Sequence, residues 1–312
     1  MNGAETLRIG TRASDLARAQ STTVARAITE RTGRPTELVT ISTEGDASTR
    51  PLVEFGGQGV FVSALREALL AGEVDIAVHS LKDIPTRAED GIALAAIPAR
   101  EDPRDVVVAR GGLTLGELPS GSRVGTGSPR RASQLNALGL GIKVEAVRGN
   151  VGTRISRVTD GTLDGVVLAR AGLARIGRLD EATEVLDPLQ MLPAPGQGAL
   201  ACECRATERA IVRLLADHLD DRATRTAVTA ERSLLATLEA GCSAPVGALA
   251  VVADGDDGEE LWLRAVAGHV LGVPMIRRSL TGSPDDAVGI GERLAAEMLA
   301  DGAASLIEEA KS

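Results

Sequence analysis

The sequence predicts an α/β protein of three domains: two lobes with mixed, mostly parallel sheets and a smaller α+β domain at the C-terminal end. Three observations carry this. Short apolar runs alternate with amphipathic helical patterns over the first two-thirds of the chain. Two Pro-rich segments interrupt the alternation, at "PAREDPRD" (Pro98–Asp105) and "MLPAPGQG" (Met191–Gly198). From about Asp221 a long helical pattern is followed by consecutive strand patterns instead. A chain of 312 residues also exceeds what one core usually serves.

The elements follow in order. "TLRIG" reads as a strand, and "SDLARAQSTTVARAITERTG" as a helix capped by Ser14 and stopped at Gly33. "TELVTIS" is a strand, "VFVSALREALLAG" a helix ending at Gly72, and "VDIAVHS" and "GIALAAI" two further strands. After the first break come "DVVVA", "RVGTG", a helix from Pro129, "KVEAV", a helix from about Val151, and "LDGVVLA". "GALACECRA", after the second break, is expected to return to the first lobe. The helix "RATRTAVTAERSLLATLEAG" then precedes the strands "VGALAVVA", "LWLRAVAG" and "MIRRSL". A last helix begins with Ser283 as N-cap and Pro284 at its first position. The expected domains are residues 1–98 with 199–217, residues 104–192, and residues 221–312.

Composition excludes several classes. A net charge of −9 argues against a nucleic-acid binder that works by bulk electrostatics. Phe55, Phe61 and Trp262 are the aromatic residues, too few for a base-stacking platform. No apolar run approaches the roughly 18 residues that span a bilayer, so no membrane partner is expected. The start "MNGAETLRIG" lacks a signal-peptide pattern, and three cysteines do not suggest a disulfide framework, which fits a reducing cytoplasm. The cations are almost all Arg, with Lys only at 82, 143 and 311.

Four Gly-rich loops at strand-to-helix junctions carry arginines, where open α/β sheets bind ligands. They are "GTRAS" (Arg12, Ser14), "GTGSPRRASQ" (Ser128, Arg130, Arg131), "VRGNVGTRIS" (Arg148, Arg154) and "ARAGLARIG" (Arg170, Arg175). A lone loop Arg is usually a solvated surface residue. Four at one predicted edge point to a polyanionic ligand read through guanidinium groups. Arg130 and Arg131 in a first helical turn oppose the helix dipole, a cost that an anionic ligand would offset. In "AVHSLKDIPT", Asp83 is either a turn-former or a carboxylate aimed at a ligand, and His79 reads as a structural histidine. "EFGGQGVFVSAL" reads as a flexible loop or a mobile cover, with Phe61 as an aromatic contact. Cys202 and Cys204, two apart on a strand, are expected in the core, and no metal site is expected. Cys242, between Gly241 and Ser243, is either a buried small hydrophobe or an attachment point.

Taken together, "IGTRAS", "HSLKDIPT", "REDPRD", "GSPRRASQL", "VRGNVGTRIS", "LPAPGQGAL" and "LEAGCSAPVG" resemble the hydroxymethylbilane synthases, or porphobilinogen deaminases, in family order and over nearly the whole chain. The resemblance implies two lobes like those of periplasmic binding proteins and a third domain carrying a cofactor cysteine. It implies a cytoplasmic, monomeric transferase of haem biosynthesis. Four porphobilinogen molecules are joined head to tail with loss of ammonia, on a dipyrromethane cofactor held through a thioether. By position it implies Cys242 as the covalent anchor and Asp83 as the catalytic carboxylate. Lys82, Asp83, Ser128, Arg130, Arg131, Arg148 and Gly149 match cofactor-contacting positions; Arg12, Ser14, Phe61, Arg148, Arg154 and Arg175 match substrate-contacting ones. A soft thiolate suits a stable carbon–sulfur bond better than Ser would.

The chain departs from the usual family pattern at Gln58 and Ser63, where Lys is common, and at Pro129, where Leu is common. Two readings compete with the transferase: a binding protein on the same fold, and an enzyme using Cys242 as a turnover nucleophile. Asp83 and Cys242 together discriminate against the first. The second lacks a His near Cys242 in sequence.

Overall fold

The computed structural model describes residues 5–41, 60–241, 244–255 and 258–310, without the side chains of 60 and 61. The chain divides into two compact units, Met1–Glu101 with Ala199–Arg225, and Asp102–Gly198 with Thr226–Ser312.

The first unit holds a sheet of β1 (Leu7–Thr11), β2 (Thr36–Thr40), β3 (Ile76–Ser80), β4 (Ile92–Ala96) and β10 (Leu200–Arg205). Its spatial order is β2-β1-β3-β10-β4. β1 runs parallel to β2 and β3, whereas β10 is antiparallel to both β3 and β4. The sheet is therefore mixed and mostly parallel, and "GALACECRA" does join the first sheet. On one face lie α1 (Asp15–Thr32) and α6 (Arg209–Leu219), burying Val24, Ile28, Ile211 and Leu215 with Ile9, Val78, Cys202 and Cys204. On the other face α2 (Val60–Leu70) buries Leu65 and Leu69 against Val74 and Ala77. Gly10 allows that approach, since a Cβ there would lie 2.9 Å from Leu65 Cδ2. α6 is absent from the sequence expectation; its apolar stripe Ile211, Leu215, Leu219 recurs every four residues and buries as one face.

The second unit holds two sheets. The first comprises β5 (Asp105–Ala109), β6 (Arg123–Thr126), β7 (Lys143–Ala146), β8 (Gly165–Ala169) and β9 (Glu184–Val185), in the order β7-β6-β8-β5-β9. β6 is parallel to β7 and β8, and β5 is antiparallel to β8 and β9. This repeats the first unit's pattern, with β5 taking the place of β10. The helices α3 (Pro129–Ala137), α4 (Val151–Thr159) and α5 (Arg170–Arg175) each follow a strand of this sheet. The other sheet is the antiparallel meander β11 (Val246–Gly255), β12 (Gly258–Gly268) and β13 (Met275–Gly282). α7 (Arg222–Thr237), α8 (Ala287–Ala300) and α9 (Ala303–Glu309) supply Leu234, Ile290, Leu294 and Ile307 to one core with Leu261 and Leu263. The α+β character expected of the C-terminal part holds. The expected helix end at Gly241 shortens to Thr237, and Glu239 has a positive φ of 50°.

The segment 191–198 is tied down within this unit. Pro193 O accepts from Ala248 N at 2.9 Å, and Gly196 N donates to the buried Glu231 carboxylate at 2.6 Å. α3 docks at its far end through Asn136 Nδ2 to Val270 O, 2.7 Å. Gly272, φ +97°, lies so close that a Cβ would sit 2.6 Å from Ala137 N.

Candidate active site

In the first unit the expected residues gather at the C-terminal ends of β1 and β3. β1 delivers Arg12, half-buried, and Ser14, whose Oγ caps α1 by accepting Ala17 N at 3.4 Å. β3 ends at Ser80 and passes into a single helical turn, Leu81–Asp83. Leu81 is fully buried and its N–H donates to Ala199 O at 3.0 Å. That anchors a turn on which Lys82 is half-buried and Asp83 exposed. Among the described residues Asp83 makes no hydrogen bond or ion pair. Ser80 is held from the α1 face, where the buried Gln20 donates Nε2 to its Oγ at 2.8 Å.

His79 points to the opposite face. Its Nε2 is 3.4 Å from Glu203 Oε2, a weak contact, and Glu203 is gripped by Arg66 from α2. Arg66 Nε donates to Oε2 at 2.9 Å and Nη2 to Oε1 at 2.6 Å, a bidentate pair. All three side chains are buried. Burial pushes the Glu203 carboxyl up, but the hydrogen bonds from Arg66 and the proximity of His79 outweigh it and hold the carboxyl at about 2. His79 is buried, but its Nε2 makes no hydrogen bond among the described residues, and the sequence reading passed over Glu203 and Arg66. The signal available for Glu203 was a single acid inside the apolar strand "LACECR".

In the second unit Ser128 caps α3, its Oγ accepting Arg131 N at 3.4 Å, with Pro129 at the first position. Arg130 and Arg131 occupy the first turn as expected, but they are not exposed cations. They are 3 % and 5 % exposed. Asp105, fully buried at the head of β5, faces both: Arg131 Nη2 is 2.8 Å from Oδ1 and Arg130 Nη2 is 2.8 Å from Oδ2. Arg131 Nη1 donates to Val167 O at 3.1 Å, and Arg130 Nη1 to Leu192 O. Gln197 Nε2 completes the group with Asp105 Oδ1 at 2.8 Å and Pro103 O at 2.7 Å. The anion expected to offset these arginines at the helix start is in the first place an internal carboxylate. Burial raises the Asp105 pKa and the charges of Arg130 and Arg131 more than reverse it, leaving it well below the usual carboxylate range.

Around this buried pair the balance stays positive. Arg148 is exposed and Arg154 half-buried at the start of α4. Arg154 Nε donates to Gly149 O at 2.9 Å, and Asn150 caps the helix by accepting Thr153 N at 2.8 Å. Burial, then the like charges of Arg131 and Arg148, lower the Arg154 pKa. Arg131 and Arg148 thus each place a like charge near Arg154. Arg175, on α5, donates Nη2 to Gly198 O at 2.6 Å, and Arg170 pairs with Asp102 at 3.4 Å. Cys202 and Cys204 are buried in the first core, their thiols pushed up by burial to about 12 and about 11. Among the described residues no cluster of His, Cys, Asp or Glu is arranged to hold a metal. Cys242, Gln58 and the side chain of Phe61 lie outside the described residues.

Residues 7–213 match the family model of the porphobilinogen deaminase dipyrromethane cofactor binding domain, and residues 225–300 that of the porphobilinogen deaminase C-terminal domain. The chain belongs to the porphobilinogen deaminase family. It is 58 % identical to porphobilinogen deaminase 1 of Streptomyces coelicolor, over 97 % of this chain and 98 % of the relative. It is 58 % identical to porphobilinogen deaminase of Mycobacterium tuberculosis, over 96 % of this chain and 98 % of the relative. Among solved structures, the methionine-binding protein MetQ overlays with a TM-score of 0.44 at 13 % identity, covering 68 % of this chain and 89 % of that one. An arginine-specific periplasmic binding protein of Salmonella typhimurium overlays with a TM-score of 0.40 at 17 % identity, covering 71 % of this chain and 94 % of that one.

The family's dipyrromethane cofactor brings carboxylate side chains, and the donor set of the second unit fits it. Arg148 and Arg154 add cationic charge that Asp105 does not neutralise, and α4 presents its N-terminus with them.

Proposed function

We propose that this chain joins four porphobilinogen molecules head to tail, releasing one ammonia per addition, and that one water then cleaves the finished tetrapyrrole from its primer and supplies the hydroxyl of linear hydroxymethylbilane. The observation that carries the reading is the match of both deaminase domains over residues 7–213 and 225–300. The Lys82–Asp83 turn and the arginines of α3 and α4 supply residues suited to the chemistry. Bound dipyrromethane supplies the primer pyrrole on which the product grows.

In this reading Asp83 accepts a hydrogen bond from a pyrrole N–H and stabilises the cation left on the substrate as ammonia departs. Its exposure at the end of a fixed turn suits that role, because a carboxylate held in advance where positive charge develops need not reorganise during the reaction. Lys82 assists in holding the cofactor. Arg130 and Arg131, anchored by Asp105, present the start of α3. Arg148 and Arg154, with Ser128 and the Gly149 backbone, bind the carboxylates of cofactor and growing chain. Arg12, Ser14, Phe61 and Arg175 contact substrate, and Cys242 forms the thioether.

We further propose residues 1–98 with 199–217, 104–192 and 221–312 as three domains, the chain acting as a cytoplasmic monomer. No helix among the described residues is long and apolar enough to cross a membrane. Sedimentation at the mass of a single chain is expected. The decisive experiment is intact mass spectrometry of the protein with porphobilinogen turnover measured on the same sample. The expected result is a chain heavier by one dipyrromethane, the excess mapping to the peptide of Cys242 and absent from Cys242→Ser. An active sample at the bare chain mass would sink the reading.

A further inference from the structure

We propose that Glu203 is a positioning residue for the Asp83 turn, acting through His79 with Arg66 as its counter-charge; this rests on the role of Asp83 proposed above. Glu203 lies on β10 two residues beyond Ala201, the cross-strand partner of His79, so the two side chains share one sheet face. His79 is the next-to-last residue of β3, four positions before Asp83. The strand end is thus approached from both faces: Glu203 Oε2 lies 3.4 Å from His79 Nε2 on one, without the geometry of a hydrogen bond, and Gln20 holds Ser80 at 2.8 Å on the other. The helical turn bearing Lys82 and Asp83 starts at the very next residue.

Two further observations distinguish this arrangement from ordinary packing. The face that Glu203 enters is otherwise an apolar layer of Leu65, Ala68, Leu69, Val74 and Ala77 under α2. A buried ion pair at such a place is weak evidence for stability, since an apolar replacement of similar volume is often neutral or better. What the pair offers is direction: a carboxylate fixed by a bidentate guanidinium can hold an imidazole in one orientation. In addition, the β10–β4 pairing slips between Cys202 and Glu203, from Cys202 opposite Ala96 to Glu203 opposite Leu94. Such irregularities re-aim the side chain next to them. Among the described residues Glu89, exposed, also approaches the cluster, 3.4 Å from Arg66 Nη1.

The test compares Glu203→Gln and the doubly neutral Arg66→Met/Glu203→Gln with the wild-type holoenzyme, reading thermal midpoint, cofactor loading by intact mass, kcat and KM. Glu203→Gln is expected to load cofactor and keep KM within about twofold while kcat falls about tenfold to a hundredfold, the range a displaced reacting group produces. The double variant is expected to regain the thermal midpoint without regaining kcat. A folded, loaded Glu203→Gln with wild-type kcat would overturn the inference. So would a double variant whose kcat recovers together with its midpoint, since that would reduce the trio to charge balance. If Glu203→Gln does not fold, the double variant decides alone by the same criterion. Wild-type protein unable to turn over porphobilinogen would overturn the underlying reading, and this inference with it, before any variant is compared.

Discussion

Asp105 and Glu203 are buried acids on the antiparallel strand of their respective five-stranded sheets, and each holds arginine. Their consequences differ. Glu203 faces one buried Arg and a His beneath the Asp83 turn, whereas Asp105 faces two buried arginines whose second charge it cannot cancel. Asp83 itself is exposed and makes no bond among the described residues, as suits a group that meets a transient charge. Asp83→Asn keeps shape and hydrogen-bonding ability but removes the negative charge. Steady-state turnover is expected to fall by about two to three orders of magnitude, the loss typical of removing one electrostatic stabiliser. Intact mass should still show the cofactor; near-normal kcat would remove Asp83 from its role.

Among the elements, α3 and α4 present cations where a helix normally favours anions. Ser128 and Asn150 supply the caps, so neither helix needs a ligand to form. What the caps cannot relieve is the repulsion of Arg154 by Arg131 and Arg148. Gly149 is the pivot at the start of α4: its φ is +108°, and a Cβ would lie 2.8 Å from Thr153 Cβ. Gly149→Ala is therefore expected to destabilise the protein by about 1–3 kcal/mol in urea unfolding, through strain and overpacking at once. It should also displace Arg154, whose Nε bonds to Gly149 O, and lower cofactor loading measured by mass. Full loading with unchanged stability would contradict this account.

For the whole molecule, the buried acids make stability depend on pH in a defined direction. Glu203 titrates at about 2 in the folded chain against an ordinary value of 4.5, and Asp105, Asp75 and Asp102 are lowered as well. A lowered carboxylate contributes stability that is fully present above its unfolded pKa and is lost as pH falls towards its folded one. Unfolding free energy is expected to hold from neutral pH to about 5, then decline steadily towards pH 2. Arg66→Met/Glu203→Gln, matched to wild type at neutral pH, should become the more stable of the two over that acid window. A pH-independent difference between the two, followed by urea titration at each pH, would count against Glu203 as a contributor.

Much of this was legible in the sequence. Ser14, Ser128 and Gly33 marked helix ends because capping is a local interaction between neighbours in the chain. The alternation of patterns gave two α/β lobes and an α+β part, and the Gly- and Arg-bearing loops fell at strand-to-helix junctions. Cys202 and Cys204 were readable as core residues from their spacing of two. The partners of Arg130, Arg131 and Arg66 were not readable. Asp105 lies 26 residues from Arg131, and Glu203 lies 137 from Arg66. Local chemistry fixes which side chains leave an element in which direction, and the sequence determined that much unaided. Which charge is buried against which depends on how the elements pack, Asp105 against a helix that follows a strand of its own sheet and Glu203 against Arg66 after the chain has left the first unit's sheet and returned, and only the tertiary structure decided it.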